Sequence, residues 1–236
     1  MNVSVAMAVY NGEKYLKEQL YSILNQLDEN DEIIISYDKS SDKTLEIITE
    51  FAKFDNRITI VNGPCLGVIK NFENAIKYCK NKYIFLSDQD DIWLENKIKI
   101  ITDMFNKTNA DVIIHDSIVI DEKNNTIYPS FFAFRHCKKG VLYNIIHNSY
   151  IGCCMAMRND FVKNIIPFPK NIPMHDQWIG LIANKKNSVE FINIPLLKYR
   201  RHSNNVSSFK HKDLFSMIRL RLNLIHALIK SKSINN

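Results

Sequence analysis

A chain of 236 residues, 46% hydrophobic and 24% charged, has the composition of a globular protein that can bury one sizeable α/β core. No apolar run reaches the ~18 residues of a membrane span, and the N-terminus enters its first apolar run with no basic stretch before it, so neither a transmembrane helix nor a cleaved signal peptide is expected. The net charge of +6 suits a nucleic acid, a membrane surface or a phosphorylated substrate without choosing among them, while five cysteines lacking a C-x-x-C pair argue against a disulfide framework or zinc site and fit the cytoplasm.

In chain order, Asn2 to Val9 reads as a buried strand broken by Tyr10-Asn11-Gly12, and helical periodicity runs from Tyr15 to about Gln26. Glu32 to Tyr37 is a second strand, followed by the polar segment Asp38 to Thr44 and a helix carrying Leu45, Ile48, Phe51 and Ala52. Arg57 to Val61, Gly67 to Cys79 and Tyr83 to Ser87 continue as strand, helix, strand. Four alternations predict a parallel sheet covered on both faces, in which ligands bind at the carboxyl ends of the strands. Three polar segments fall there: Tyr10 to Gly12, Asp38 to Asp42, and Asp88 to Asp91.

The last of these carries Asp88, Asp90 and Asp91 within four residues, directly after a buried strand. One of them suffices to cap the helix expected over Ile92 to Phe105. Stacked carboxylates at a strand end point further, to a hard divalent cation such as Mg²⁺ or Mn²⁺ that also holds substrate phosphates. Neither a G-x-G-x-x-G nor a P-loop follows the first strand, which speaks against dinucleotide, P-loop and nucleotidyltransferase readings.

Beyond this point the alternation loosens. A strand is expected over Ala110 to Ile120, then a polar and aromatic segment from Asp121 to Lys139 for which a loop over a site and a core-packing role stand equally. Tyr150 to Met157 reads as a buried strand, Asn159 to Ile165 as a short helix, and Met174 to about Lys185 as a helix whose first turn holds Asp176 as either a cap or a functional acid. Strands over Val189 to Ile194 and Leu196 to Tyr199 lead to Arg200-Arg201-His202, a basic turn that either is solvated or touches a diphosphate or metal. From Lys212 to Lys230 an amphipathic helix with a basic rim is suited to packing on the domain or to lying on an anionic membrane.

Five segments in order resemble a known family. They are Tyr10-Asn11-Gly12, the Asp-x-Ser-x-Asp-x-Thr pattern at Asp38, Ser40, Asp42 and Thr44, the Asp88-Gln89-Asp90-Asp91-x-Trp93 box, His175-Asp176-Gln177-Trp178, and Tyr199-Arg200-Arg201-His202-x-x-Asn205. Together they look like the family-2 nucleotide-sugar glycosyltransferases of GT-A fold, close to the bacterial rhamnosyltransferase-like branch.

The resemblance implies a Rossmann-like, mostly parallel sheet flanked by helices. It implies one catalytic domain over residues 1–209, with a nucleotide-binding half to about 110 and an acceptor half over 111–209, and a basic helix or tail over 210–236. Tyr10, Asn11 and Asp38 would line the base and ribose pocket. Asp88 and Asp90, with a share from Asp91, would meet the ribose and the Mn²⁺- or Mg²⁺-bound diphosphate. Asp176 matches the catalytic base, and Arg200 and His202 match positions near the leaving diphosphate, with His202 able to complete the metal shell. The implied activity is inverting transfer from a nucleoside-diphosphate sugar, UDP or dTDP foremost, to a glycan or lipid-linked glycan acceptor in bacterial surface polysaccharide, O-antigen or capsule synthesis. Peripheral membrane contact is implied and a nucleic-acid partner is not. Tyr37 and Lys39 depart from the family's Asp-Asp-Gly-Ser, the one feature favouring a non-catalytic sugar-nucleotide binder or assembly partner.

Overall fold

The structure, a computed structural model, describes residues 2–203, 205 and 214–231. Its nine-stranded sheet runs in the order β3-β2-β1-β4-β8-β6-β9-β5, with β7 paired to β6. The first half is as expected: β1 (Val3–Val9), β2 (Glu32–Tyr37), β3 (Ile58–Asn62) and β4 (Tyr83–Ser87) are parallel neighbours, joined by α1 (Leu16–Leu24), α2 (Thr44–Phe54) and α3 (Val68–Tyr78). Continuous β-branched and aromatic runs form these strands because both faces are covered, and Val5, Met7, Ile33, Ile35, Ile84 and Phe85 are fully buried.

The second half departs from expectation. Ile92 and Trp93 are not the start of a helix but a two-residue strand, β5, antiparallel to β9 (Val189–Arg200); Asn96, left-handed at φ 62°, then turns the chain into α4 (Lys97–Lys107). Of the expected strand Tyr150 to Met157 only the end survives, in β8 (Met155–Arg158), since Gly152–Cys154 form a 3-10 turn. Asn159–Asn164 is likewise a 3-10 helix. The two strands expected after Val189 are a single β9 that passes through Pro195 by slipping register against β6 (Val112–Ile120) on either side of Asp116, a place where a proline's missing donor is tolerated.

Direction decides where the site lies. β8 is antiparallel to both β4 and β6, so two reversals leave β6 and β9 pointing the same way as β1 to β4. The ends of β6 and β9 therefore join those of β1, β2 and β4 on one edge, and the start of β8 meets them there.

Between β6 and α7 (His175–Lys185) lie β7 (Thr126–Tyr128), α5 (Phe131–Arg135) and α6 (Val141–His147). Phe131 and Phe132 are buried and Phe134 stacks on Tyr128 at 3.9 Å, so this aromatic segment packs into the core, while Glu122, Phe131 and Arg135 also line the cavity at the strand ends. Helix α8 (Leu214–Lys230) packs Leu224 and Leu228 against the domain; the expected start of this helix at Lys212 lies outside the described residues. Among the described residues no helix is long and apolar enough to cross a membrane.

Gly180 in α7 is a tight packing point: a Cβ there would stand 2.4 Å from Cδ1 of Tyr150, whose buried hydroxyl accepts from Asn184 Nδ2 at 2.8 Å. Gly180→Val is expected to cost roughly 1–3 kcal/mol through overpacking, read as a lowered urea midpoint with unchanged slope.

Candidate active site

The strand ends enclose a cavity of about 1010 Å³, lined from the first half by Tyr10, Asn11, Asp38, Asp88 and Asp90 and from the second by Tyr150, His175, Asp176, Tyr199, Arg201 and His202. It is at the upper end of the range for small-molecule sites.

The wall formed by the first half is braced through side chains. Gln89 accepts from the Tyr10 amide and donates to the Tyr10 carbonyl, both at 2.8 Å, tying the end of β1 to the end of β4. Asn11, left-handed at φ 48°, accepts from the Ser41 amide at 2.9 Å while its own amide donates to Ser40 Oγ at 3.0 Å. Asp38 is buried, and its Oδ1 accepts from the Cys65 amide at 2.8 Å. The substitutions around it are accommodated: the Tyr37 hydroxyl accepts from the Ser40 amide at 3.0 Å, and Lys39 is not among the positive-φ residues, so the turn needs no glycine there.

The acidic box divides. Asp88 and Asp90 face the cavity, whereas Asp91 is fully buried behind it, where its Oδ1 accepts from the Arg200 amide at 2.9 Å and its Oδ2 has no partner. Burial, then the neighbouring Asp90 carboxylate, pushes both Asp88 and Asp91 upward. Lys97 is the nearby compensating charge: buried, donating to the Cys153 carbonyl at 2.9 Å, 4.0 Å from the Trp93 ring centroid, and pulled down to about 8 by burial. At the cavity wall Asp88 is a carboxyl that burial and the adjacent Asp90 carboxylate keep from ionising, an environment a cation relieves, and oxygen donors suit Mg²⁺ or Mn²⁺; the orphaned oxygen of Asp91 does not line the cavity. Asp88, Asp91 and Cys153 each offer a ligand atom, all within 4.8 Å of one another, but a thiol is a poor partner for either ion. The residues that fit the ion at the cavity are therefore Asp88 and Asp90.

The turn after β9 is also divided. His202 Nε2 lies 2.7 Å from Asp90 Oδ2, with Asn205 Nδ2 at 3.3 Å from the same oxygen. Arg200, expected at the diphosphate, is instead buried on the opposite face of the strand. Its Nε donates to the Asp90 carbonyl at 2.8 Å, Nη2 to Glu18 at 2.7 Å and Nη1 to Asn124, and the guanidinium lies 4.5 Å from the Tyr15 ring centroid. Arg200 thus holds the acidic box from behind, and Arg201 is the arginine that lines the cavity.

Across the cavity, Asp176 occupies the first turn of α7, buried, with Oδ1 accepting from the Gln177 amide at 2.5 Å. Burial raises it to about 7, against the pull of backbone donors. A carboxylate with that value holds or releases a proton near neutrality. His175 beside it stacks on Phe72 at 4.2 Å, its ring nitrogens have no partner, and burial lowers it to about 3, so it is neutral. Gly152 presses on it; a Cβ there would stand 2.9 Å from His175 Nε2. The sequence alone gives no role to Gln89 or His175, although each sits inside one of the polar boxes.

Residues 4–166 match the family described as glycosyl transferase family 2. The UDP-Glc:alpha-D-GlcNAc-diphosphoundecaprenol beta-1,3-glucosyltransferase WfgD of Escherichia coli is 31% identical over 216 residues, covering 90% of this chain and 82% of that protein. The dTDP-rhamnosyl transferase RfbG of Shigella flexneri is 34% identical over 216 residues, covering 84% and 72%. Among solved structures, TarS 1–349 of S. aureus in complex with UDP-GlcNAc superposes with a TM-score of 0.73 at 20% identity, over 95% of this chain and 66% of that one. That likeness speaks to the fold, and the chain spans about two thirds of the TarS fragment.

Proposed function

The chain belongs to glycosyl transferase family 2, and from that premise we propose that it is an inverting transferase moving a sugar from a UDP- or dTDP-sugar to a hydroxyl of a glycan acceptor. The observation that carries this reading is the pairing, across one cavity, of the Asp88/Asp90 carboxylates with a second, separately buried carboxyl at Asp176. Tyr10, Asn11 and Asp38 bind base and ribose in the half that ends near residue 110; the rest of the domain, to about 209, shapes the acceptor side. Asp176 accepts the proton of the acceptor hydroxyl as its oxygen bonds to the anomeric carbon and the bond to the diphosphate breaks, which inverts the configuration. Asp88 and Asp90 would hold Mn²⁺ or Mg²⁺, which supplies charge neutralisation for the departing diphosphate. His202 and Asn205 orient Asp90 for that task.

The reaction belongs, on this reading, to bacterial surface polysaccharide synthesis in the cytoplasm at the inner face of the membrane; the diphosphoundecaprenol-linked acceptor in the name of WfgD supports a lipid-linked glycan as acceptor, and the name of RfbG supports a dTDP-sugar as donor. Nucleotide release from UDP-, dTDP- and GDP-sugars, with Mn²⁺ or Mg²⁺, tests the reading. Cation-dependent release from a single base class is expected. Affinity without release, with or without an acceptor extract, would identify a binder, and a product of retained configuration would remove Asp176 as base.

A further inference from the structure

Helix α8 meets the domain along one narrow face. Leu224 and Leu228 are buried, Lys185 Nζ donates to the Leu228 carbonyl at 2.9 Å, and Arg221 Nη2 donates to the Ile146 carbonyl of α6 at 3.0 Å. Ile218, Leu222, Ile225 and Ile229, spaced by four, three and four residues, form a second stripe on the same helix, and all are exposed. At 100° per residue, Arg221 projects between the buried face and this stripe, so the α6 backbone it grips flanks the stripe. From α6, Leu142 at 80% and Ile146 at 55% exposure extend it. Two helices therefore present six large apolar side chains on one side of the molecule.

The segments that carry them hold charges of one sign, and the nearest acid shown against them, Glu190, is paired with Lys139 at 2.7 Å. No aspartate or glutamate occurs between residues 123 and 159 or between 214 and 236, while Lys138, His147, Arg219 and Lys230 are exposed in those stretches. The surface also adjoins the cavity. Asn148, next after α6, lines it, and Gln177, next to Asp176, donates to the Asn144 carbonyl of α6 at 2.8 Å.

We propose that the face formed by α6 and α8 docks onto an anionic lipid bilayer, with the Asp176 side of the cavity opening beside the membrane. This docking surface does not depend on the transferase reading above. Apolar side chains entering the headgroup boundary, rimmed by lysine and arginine, match such a surface in both chemistry and charge. A second copy of this chain fits less well, because self-pairing would set against each other two pairs of helices that carry cationic and no acidic side chains of their own.

Flotation of the full chain with vesicles tests this directly, comparing phosphatidylcholine alone with equal parts phosphatidylcholine and phosphatidylglycerol. Binding is expected to the anionic vesicles only and to weaken with salt; the double variant Leu222→Ser/Ile229→Ser, and separately Arg219→Glu/Lys230→Glu, should lower the bound fraction roughly tenfold or more. The substituted side chains are exposed, and unchanged UDP binding by calorimetry would certify the fold. Equal recovery of wild type and both variants, or no wild-type binding, overturns the proposal. So does a concentration-dependent dimer that Leu222→Ser dissociates in a protein that does not float. Absence of sugar transfer in a protein that still floats would count against the transferase reading and leave the docking surface standing.

Discussion

Asp176→Asn is expected to lower sugar transfer by roughly 10²–10⁴-fold while leaving UDP affinity within about twofold, the signature of a lost general base. The substitution is nearly isosteric. The amide oxygen can still accept from the Gln177 amide, so the start of α7 keeps its bond and only the proton acceptor is removed. The pH profile supplies the second half of the test. Burial raises Asp176 to about 7, so the wild-type rate should climb as pH rises through 7 and level off above it, and the residual activity of the variant should lack that limb.

The same shift has a sign for stability. The folded protein binds this proton more tightly than the unfolded chain, whose carboxyl titrates near its ordinary value of 3.8. The contribution is therefore fully present below 3.8 and lost as pH rises through about 7. The variant escapes that loss, so at pH ~8 it should be as stable as wild type or more so, by at most a few kcal/mol, at about 1.4 kcal/mol for each tenfold in the proton equilibrium. Urea midpoints at acid and alkaline pH, taken as the difference between the two proteins, cancel the other titrating groups. A variant less stable at alkaline pH would mean that the buried charge of Asp176 is compensated by the protein.

How far these features are legible in the sequence depends on how local their causes are. β1 to β4 can be read because each is buried on both faces, so each appears as an unbroken apolar run ending in a polar break. β5 cannot, because two residues carry no periodicity of their own and their partner lies far along the chain, and β8 is legible only as the end of a longer apolar run whose first half folds as a 3-10 turn. The acidic box, the Asp176 turn and the basic turn were all visible as motifs. Which side chain of each faces the cavity was not. In Tyr199-Arg200-Arg201 that depends on the two-residue alternation of β9, set by its register on β6, which slips twice; Tyr199 and Arg201 share the cavity side and Arg200 takes the other. Asp91 turns away from the cavity because its Oδ1 pairs with the backbone of that same Arg200, a residue 109 positions away. His175 stood one residue from a motif acid, but its place against Phe72 and Gly152 arises only where α3 and the turn before β8 meet.

Asp90→Asn should be the most damaging change on the donor side, lowering the transfer rate by roughly 10²–10³-fold and Mn²⁺-dependent UDP affinity by at least about tenfold. The case rests on what the substitution leaves in place. The Asp90 carbonyl still accepts from Arg200 Nε, so the box stays fixed from behind, and an amide oxygen still offers His202 Nε2 a partner if the ring nitrogen carries a hydrogen. What disappears is one negative charge at the point where Asp88 and Asp90 converge on the cavity. If a divalent cation couples this pair to a diphosphate, UDP and Mn²⁺ should raise the thermal midpoint of the wild type more together than the sum of their separate effects, and the variant should lose that excess. Asp91→Asn is the matched control: its carboxyl lies outside the cavity and has an unpartnered oxygen, so neutralising it should spare the cooperative shift and leave apo stability unchanged or raised. Equal loss of the excess in both variants would move the cation from the cavity wall to the buried Asp88, Asp91 and Cys153 cluster, and no excess in the wild type would mean that Asp90 meets the donor without a metal between them.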